Sequence, residues 1–136
     1  MSVIVTDSGF HSETPIPSFT SLAQLPFHEG AIDLANTDDP EALAPYLADL
    51  RLIRIGFPSF ADGRGFTLAR RLRMMGFTGR LRARGHVLAD QYAMARRVGF
   101  DEVEINDELA ARQPADQWQA RADWRAHDHQ TRLRAG

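Results

Sequence analysis

The stretch Arg51-Leu52-Ile53-Arg54-Ile55-Gly56-Phe57-Pro58-Ser59-Phe60-Ala61-Asp62-Gly63-Arg64-Gly65-Phe66 decides the fold. Residues 51–57 carry Leu52, Ile53 and Ile55 in a run of strand length. Residues 58–65 mix Pro, Ser, Asp and Gly, the composition of a loop. From there Phe66, Ala69, Leu72 and Met75 recur at helical spacing, which predicts a helix over 66–75 with Arg70, Arg71 and Arg73 facing outward. Gly76 stands where a helix commonly ends. Strand, loop and helix in that order are one unit of a parallel α/β sheet.

The same plan extends on both sides. Arg80-Leu81-Arg82-Ala83-Arg84 alternates as a strand, Val87–Val98 reads as a helix buried through Leu88, Tyr92, Ala95 and Val98, and Asp101–Ile105 reads as another strand. Arg96 and Arg97 suit the negative end of that helix, and Gly99 closes it. An internal repeat joins Gly76-Phe77-Thr78-Gly79-Arg80-Leu81 to Gly99-Phe100-Asp101-Glu102-Val103-Glu104: a helix ends at Gly, Phe folds back as an apolar plug, and a turn feeds a strand. Upstream, Ile32-Asp33-Leu34 is a short strand and Asn36–Pro40 a turn and helix cap. Glu41–Leu50 follows helical spacing through Leu43, Tyr46, Leu47 and Leu50, despite Pro45, and Val3-Ile4-Val5 is a further short strand. The expectation is a single α/β domain whose small parallel sheet is built from consecutive βα units with right-handed crossovers. Residues 1–30 form an irregular wrap with a short strand, 31–106 the core, and 107–136 a polar helical tail from which one of Trp118 and Trp124 packs on the body.

Composition narrows the chemistry. The chain of 136 residues suits one domain, and 43% hydrophobic content argues against wholesale disorder. No apolar run is long enough to cross a bilayer, and Met1–Asp7 lacks the basic and apolar regions of a secretory leader. A cytoplasmic protein is expected. There is no cysteine, which excludes disulfides, thiolate nucleophiles and cysteine-ligated iron–sulfur clusters. There is no lysine either; all 16 basic residues are arginine, so a Schiff base is excluded and each cation is a planar fork suited to oxyanions. The net charge of −2 hides an asymmetry: residues 1–50 hold 8 acids and no arginine, 51–100 hold 11 arginines and 2 acids, and 101–136 hold 5 arginines and 8 acids. Either the segments neutralise one another in the fold, or 51–100 presents a basic face to an anion or an acidic partner. With a pI near 6.2 and no recognition motif, nucleic acid is not expected.

Ligands of parallel α/β folds bind at the carboxyl ends of the strands. The residues gathered there are Asn36 and Asp38, then Ser59, Asp62, Gly63, Arg64 and Gly65, then Gly85, His86 and Asp90, then Asn106 and Asp107. The aspartates suit helix caps, and Gly63 and Gly65 suit a turn. Alternatively, the Gly63 and Gly65 N–H groups, Arg64 and His86 form an oxyanion cradle. In that case Asp62 caps the helix while Arg64 reaches outward. The candidate binding residues are therefore Ser59, Asp62, Gly63, Arg64, Gly65, Arg70, His86 and Asp90, with no catalytic set. The loop matches neither a phosphate-binding Walker loop nor the dinucleotide G-x-G-x-x-G, because Leu68 stands at the third glycine. His127-Asp128-His129 has no partner cluster for a metal, and neither metal nor cofactor is expected.

Over most of 31–105 the chain resembles DUF934, a bacterial family of unknown function. The residues that carry the resemblance are Phe57-Pro58-Ser59-Phe60, Asp62-Gly63-Arg64-Gly65-Phe66, Leu68-Ala69-Arg70, Leu81-Arg82-Ala83, Asp90-Gln91 and Gly99-Phe100-Asp101, with Asp38-Asp39-Pro40-Glu41 upstream. Members are encountered beside assimilatory sulfite or nitrite reductase genes and are often described as sulfite-reductase-associated or electron-transfer proteins. Many carry Cys before Gly-Phe-Asp; this chain carries Val98, which removes a redox role at that position. The resemblance implies a non-catalytic accessory protein of sulfite reduction that binds a sulfite or nitrite reductase or its electron donor. The alternatives are a small oxyanion-binding module or enzyme using the Asp62–Gly65 loop, and a homo-oligomer that completes a half-barrel.

Overall fold

The computed structural model describes residues 2–123; Trp124 and His127-Asp128-His129 lie outside the described residues. Seven strands form one sheet: β1 (Ser2–Thr6), β2 (Gly9–His11), β3 (Thr20–Ser21), β4 (Ala31–Leu34), β5 (Leu52–Phe57), β6 (Arg80–Gly85) and β7 (Glu102–Asn106). The spatial order is β2-β1-β7-β6-β5-β4-β3. Strands β3 to β7 are mutually parallel and lie side by side in chain order, as the βα pattern predicts. Strand β1 returns antiparallel against β7, pairing Val3 with Ile105 and Val5 with Val103.

The connections are α1 (Arg64–Met74) between β5 and β6, and a 3-10 turn (Ala89–Gln91) leading into α2 (Tyr92–Val98) between β6 and β7. Between β4 and β5 the segment Pro40–Tyr46 is a 3-10 helix. Pro45 inside it lacks the N–H and excludes the carbonyl that a regular α-helical turn would use, so the expected helix over 41–50 is shorter and tighter. The Asp39 side chain caps this segment by accepting from the Glu41 N–H at 3.0 Å. Beyond β7, α3 (Asp107–Arg112) and α4 (Ala115–Gln119) complete the described chain.

Consecutive parallel strands added in one direction by right-handed crossovers place all their helices on one face. The alternation within the strands follows from that. Ile53, Ile55, Phe57, Leu81, Ala83, Val103 and Ile105 are buried in the core with Phe66, Ala69 and Leu72 of α1 and Tyr92 and Ala95 of α2. The intervening residues, Arg54, Arg82, Arg84, Glu102 and Glu104, line the opposite face.

The internal repeat is physical. Gly76 and Gly99 both adopt left-handed conformations, with φ of 104° and 119°, that a side chain disfavours. The Phe77 N–H reaches the Leu72 carbonyl at 3.1 Å and the Phe100 N–H reaches the Ala95 carbonyl at 3.0 Å, the same backward bond that closes a Schellman turn. Arg73 and Arg96 hold equivalent places, each donating Nη1 to the carbonyl of its own Phe, at 2.9 and 2.6 Å. Arg73 also donates to Gly99 O and to Asp101, which ties the first unit to the second. It is therefore half-buried in the turns and not outward, as helical spacing alone had it.

Candidate functional site

The face opposite α1 and α2 is crossed by the chain entering from β2, whose Glu13 and Phe19 close over Arg82 and Arg54. Beneath them lies a charge network. Arg54 donates to Asp33 through Nε at 2.6 Å and Nη2 at 2.7 Å, and to Glu104 through Nη1 at 3.0 Å. Arg82, only 1% exposed, donates to Glu102 at 2.6 Å, Glu104 at 2.9 Å and Glu13 at 2.6 Å. Phe19 lies on the Arg54 guanidinium, 3.6 Å from ring centroid to the central carbon. Arg54 and Arg82 are register neighbours, a like-charge pair that would repel. Glu104 relieves it by accepting from both.

Burial alone would lower the pKa of Arg82. The carboxylates of Glu13 and Glu102 more than offset it and hold the guanidinium above its ordinary value. Burial likewise opposes ionisation of Glu13, but hydrogen bonds and charge from Arg82 and Arg80 win, and its pKa falls below the ordinary 4.5. A carboxyl depressed in the folded state stabilises above its unfolded pKa and loses that contribution as pH falls through the folded value. We expect thermal stability to drop as pH falls below about 4.5, and the drop to be shallower in Glu13→Gln. Melts of both proteins between neutral and strongly acidic pH check this; identical acid profiles would show that Glu13 does not clamp the wrap.

Toward the carboxyl ends of the strands the covering lifts and a cleft of about 1160 Å³ opens. Its floor is Gly56 and Arg84, register partners on β5 and β6. Its polar walls are Asn36, His86 and Asn106, all from the predicted carboxyl edge. Ile4, Ile16, Phe60 and Leu109 supply its apolar walls. The cleft is as roomy as sites that enclose drug-sized ligands.

Of the sequence candidates, His86 lies in this cleft, where its ring meets Phe60 edge-on at 5.2 Å. The loop from Ser59 to Gly65 stands beside it. Ser59 Oγ accepts from the Ala61 N–H at 3.2 Å and orders the loop. Asp62 accepts from the Arg64 N–H at 3.2 Å and orders the loop before α1, but the cap position itself is Gly63, with no side-chain cap bond. Arg64, however, folds back onto Asp62, with Nη2 2.6 Å from the carboxylate, so its charge is already answered. The Arg64 guanidinium, helped by Asn36, holds the Asp62 carboxyl well below the usual carboxylate range. Asn36 acts there at longer reach than a hydrogen bond, because its buried Nδ2 meets no acceptor at bonding geometry.

Gly63 precedes α1 with an ordinary negative φ. Gly65 is buried where a Cβ would come within 2.5 Å of the Phe57 ring, so its smallness serves helix–strand packing. Arg70 is exposed on α1, away from the cleft, and Asp90 pairs with Arg121 at 2.7 Å. The arginines of 51–100 are largely answered within the chain, by Asp33, Asp39, Glu41, Asp62, Asp101, Glu102 and Glu104 among others. That favours internal neutralisation over an open basic face.

Arg54, Arg82, Arg84, Glu104 and Gly56 are not among the candidate binding residues read from the sequence. The available signal was sign alternation: Arg at every second place of 80–84 against Glu at every second place of 102–104. Two adjacent parallel strands with that pattern bring opposite charges together on one face.

The fold and cleft define a singly wound α/β domain that keeps one face of its sheet for polar contacts. The chain belongs to the family described as bacterial protein of unknown function (DUF934), whose model matches residues 31–134. No curated protein and no solved structure matches it. No helix among the described residues is long and apolar enough to cross a membrane.

Proposed function

We propose that this protein is a non-catalytic accessory module of assimilatory sulfite reduction in the cytoplasm, working by binding through its open-face cleft. The observation that carries the binding role is the cleft itself, a large concavity at the carboxyl edge with convergent polar groups and apolar walls. The pathway comes from the family resemblance. Docking through the basic 51–100 segment has less support, since most of those cations are paired inside the chain. A reductase or its electron donor would instead meet the rim, where Ile16 is 81% and Phe60 40% exposed. The small-oxyanion reading moves with the geometry, from the Asp62–Gly65 loop to the cleft beside it.

The test is affinity purification of the tagged full chain from its native host, with mass spectrometry of what stays bound. A sulfite or nitrite reductase, or its electron donor, should be enriched with the wild type and lost with Ile16→Asp/Phe60→Asp. Enrichment of unrelated proteins only, or capture that the double variant does not disturb, would overturn the reading.

A further inference from the structure

Gly56 sits in the middle of β5, where a glycine weakens a strand and offers nothing to pack. The protein itself gives it no reason to be there. A Cβ built on Gly56 would meet only the Leu34 carbonyl, at 3.8 Å, and its φ is not in the left-handed region. The space that a side chain would fill is the floor of the cleft.

Two donor groups border that space. Arg84 lies beside Gly56 in the sheet, its side chain 57% exposed and tied to the chain by one long approach to Glu104, 3.6 Å. This contrasts with the 2.6–3.0 Å bonds that fix Arg54 and Arg82 a row deeper. Asn36, nine-tenths buried, keeps an Nδ2 donor with no acceptor at hydrogen-bond geometry, and the Asp62 carboxylate on which it acts is already held by Arg64. A buried unused donor in a native protein calls for a partner. A guanidinium and an amide N–H₂ are both donors, so the missing partner is an acceptor, and beside an arginine an anionic one. Glu13, Glu104 and Glu108 also line the cleft, but Arg82 answers the first two and Arg112 the third, and the walls Ile4, Ile16, Phe60 and Leu109 ask for apolar surface.

We infer that the cleft binds a small organic anion, its acid group held by Arg84 and Asn36 over the bare floor at Gly56 and its apolar body lying toward Ile16 and Phe60. His86, edge-on to Phe60, stands along the same wall. This inference rests on the reading of the cleft as the working surface and supplies the ligand class. A bare sulfate or sulfite would use the donors but leave the apolar walls unfilled.

Three probes titrated into the purified full chain test it: anilinonaphthalene sulfonate, its uncharged analogue N-phenylnaphthylamine, and inorganic sulfate. The sulfonate should bind with one-to-one stoichiometry, and the uncharged analogue about tenfold more weakly, the cost of losing a charge-assisted bond. Arg84→Gln should weaken sulfonate binding by about the same factor. Gly56→Val should abolish it while the melting temperature stays level or rises, because a β-branched residue suits the strand. Sulfonate binding that survives Gly56→Val, equal affinity for the uncharged probe, or displacement by sulfate at matching concentration would each overturn the inference. So would absence of sulfonate binding in the wild type. The purification is read with Ile16→Asp/Phe60→Asp and the titration with Arg84→Gln and Gly56→Val, so either proposal can fail while the other stands.

Discussion

Arg82→Ala should cost the folded protein about 3–5 kcal/mol, because it removes the single cation shared by Glu13, Glu102 and Glu104. The size of the effect comes from what is left behind and not from what the ion pairs contributed. Glu102 is 5% exposed and Glu104 7%, so two carboxylates would remain desolvated with only Arg54 and peripheral arginines near them. Against a domain stability of about 5–15 kcal/mol this is a large fraction. Denaturant unfolding at neutral pH measures it. The control is Arg82→Met combined with Glu102→Leu. If the loss stems from stranded acids, removing one of them together with the arginine should recover part of the deficit. A single-variant loss below about 1 kcal/mol would place the network in the class of exposed ion pairs.

Trp118→Ala should be of similar magnitude, about 3–5 kcal/mol. The indole is fully buried, lies edge-on to Tyr92 at 6.0 Å, and donates Nε1 to the Gln113 carbonyl at 2.9 Å. Tyr92 in turn donates a hydroxyl hydrogen bond to Asp7, and burial together with that carboxylate raises the phenol's pKa well above its ordinary value. One side chain thus joins α4, α2 and the β1–β2 turn. Trp118→Phe separates the contributions: it keeps an aromatic ring but orphans the Gln113 carbonyl, for a loss of about 1–3 kcal/mol. Thermal and denaturant melts of both variants suffice. Equal, near-zero losses would mean that α4 merely rests on the surface.

What could be read in advance follows from which forces act locally. Strands β5, β6 and β7 and helix α1 were legible because period-2 and period-3.6 patterns are imposed by one buried face, and chain order then set their neighbours. The Gly-Phe repeat was legible because a left-handed turn leaves a residue signature. The antiparallel return of β1 was not, since Val3 and Val5 show an apolar face but not that its neighbours are Ile105 and Val103, a hundred residues away. Leu88 was expected to be buried and is 36% exposed, because the chain turns there into a 3-10 start and Val87 takes the inner place. The polar composition of 107–136 suggested a tail from which one tryptophan packs on the body, and Trp118 does so.

The site divides the same way. Asn36, His86 and Asn106 were placed at the carboxyl edge from topology alone. The cleft floor was hidden, because Arg84 and Gly56 acquire meaning only when register sets them side by side. The Asp62–Arg64 pair shows the converse error: two glycines suggested a free arginine, but the shortest route for its charge was the carboxylate two residues back.

The two margins of the sheet are very short: β2 spans Gly9–His11 and β3 only Thr20–Ser21. A margin that brief offers an incoming chain few backbone groups to zip onto, one of the ways natural sheets resist runaway stacking. Self-association at high concentration is thereby steered away from ribbon-like growth. A second copy that settled instead over the cleft would compete for space with whatever the cleft holds.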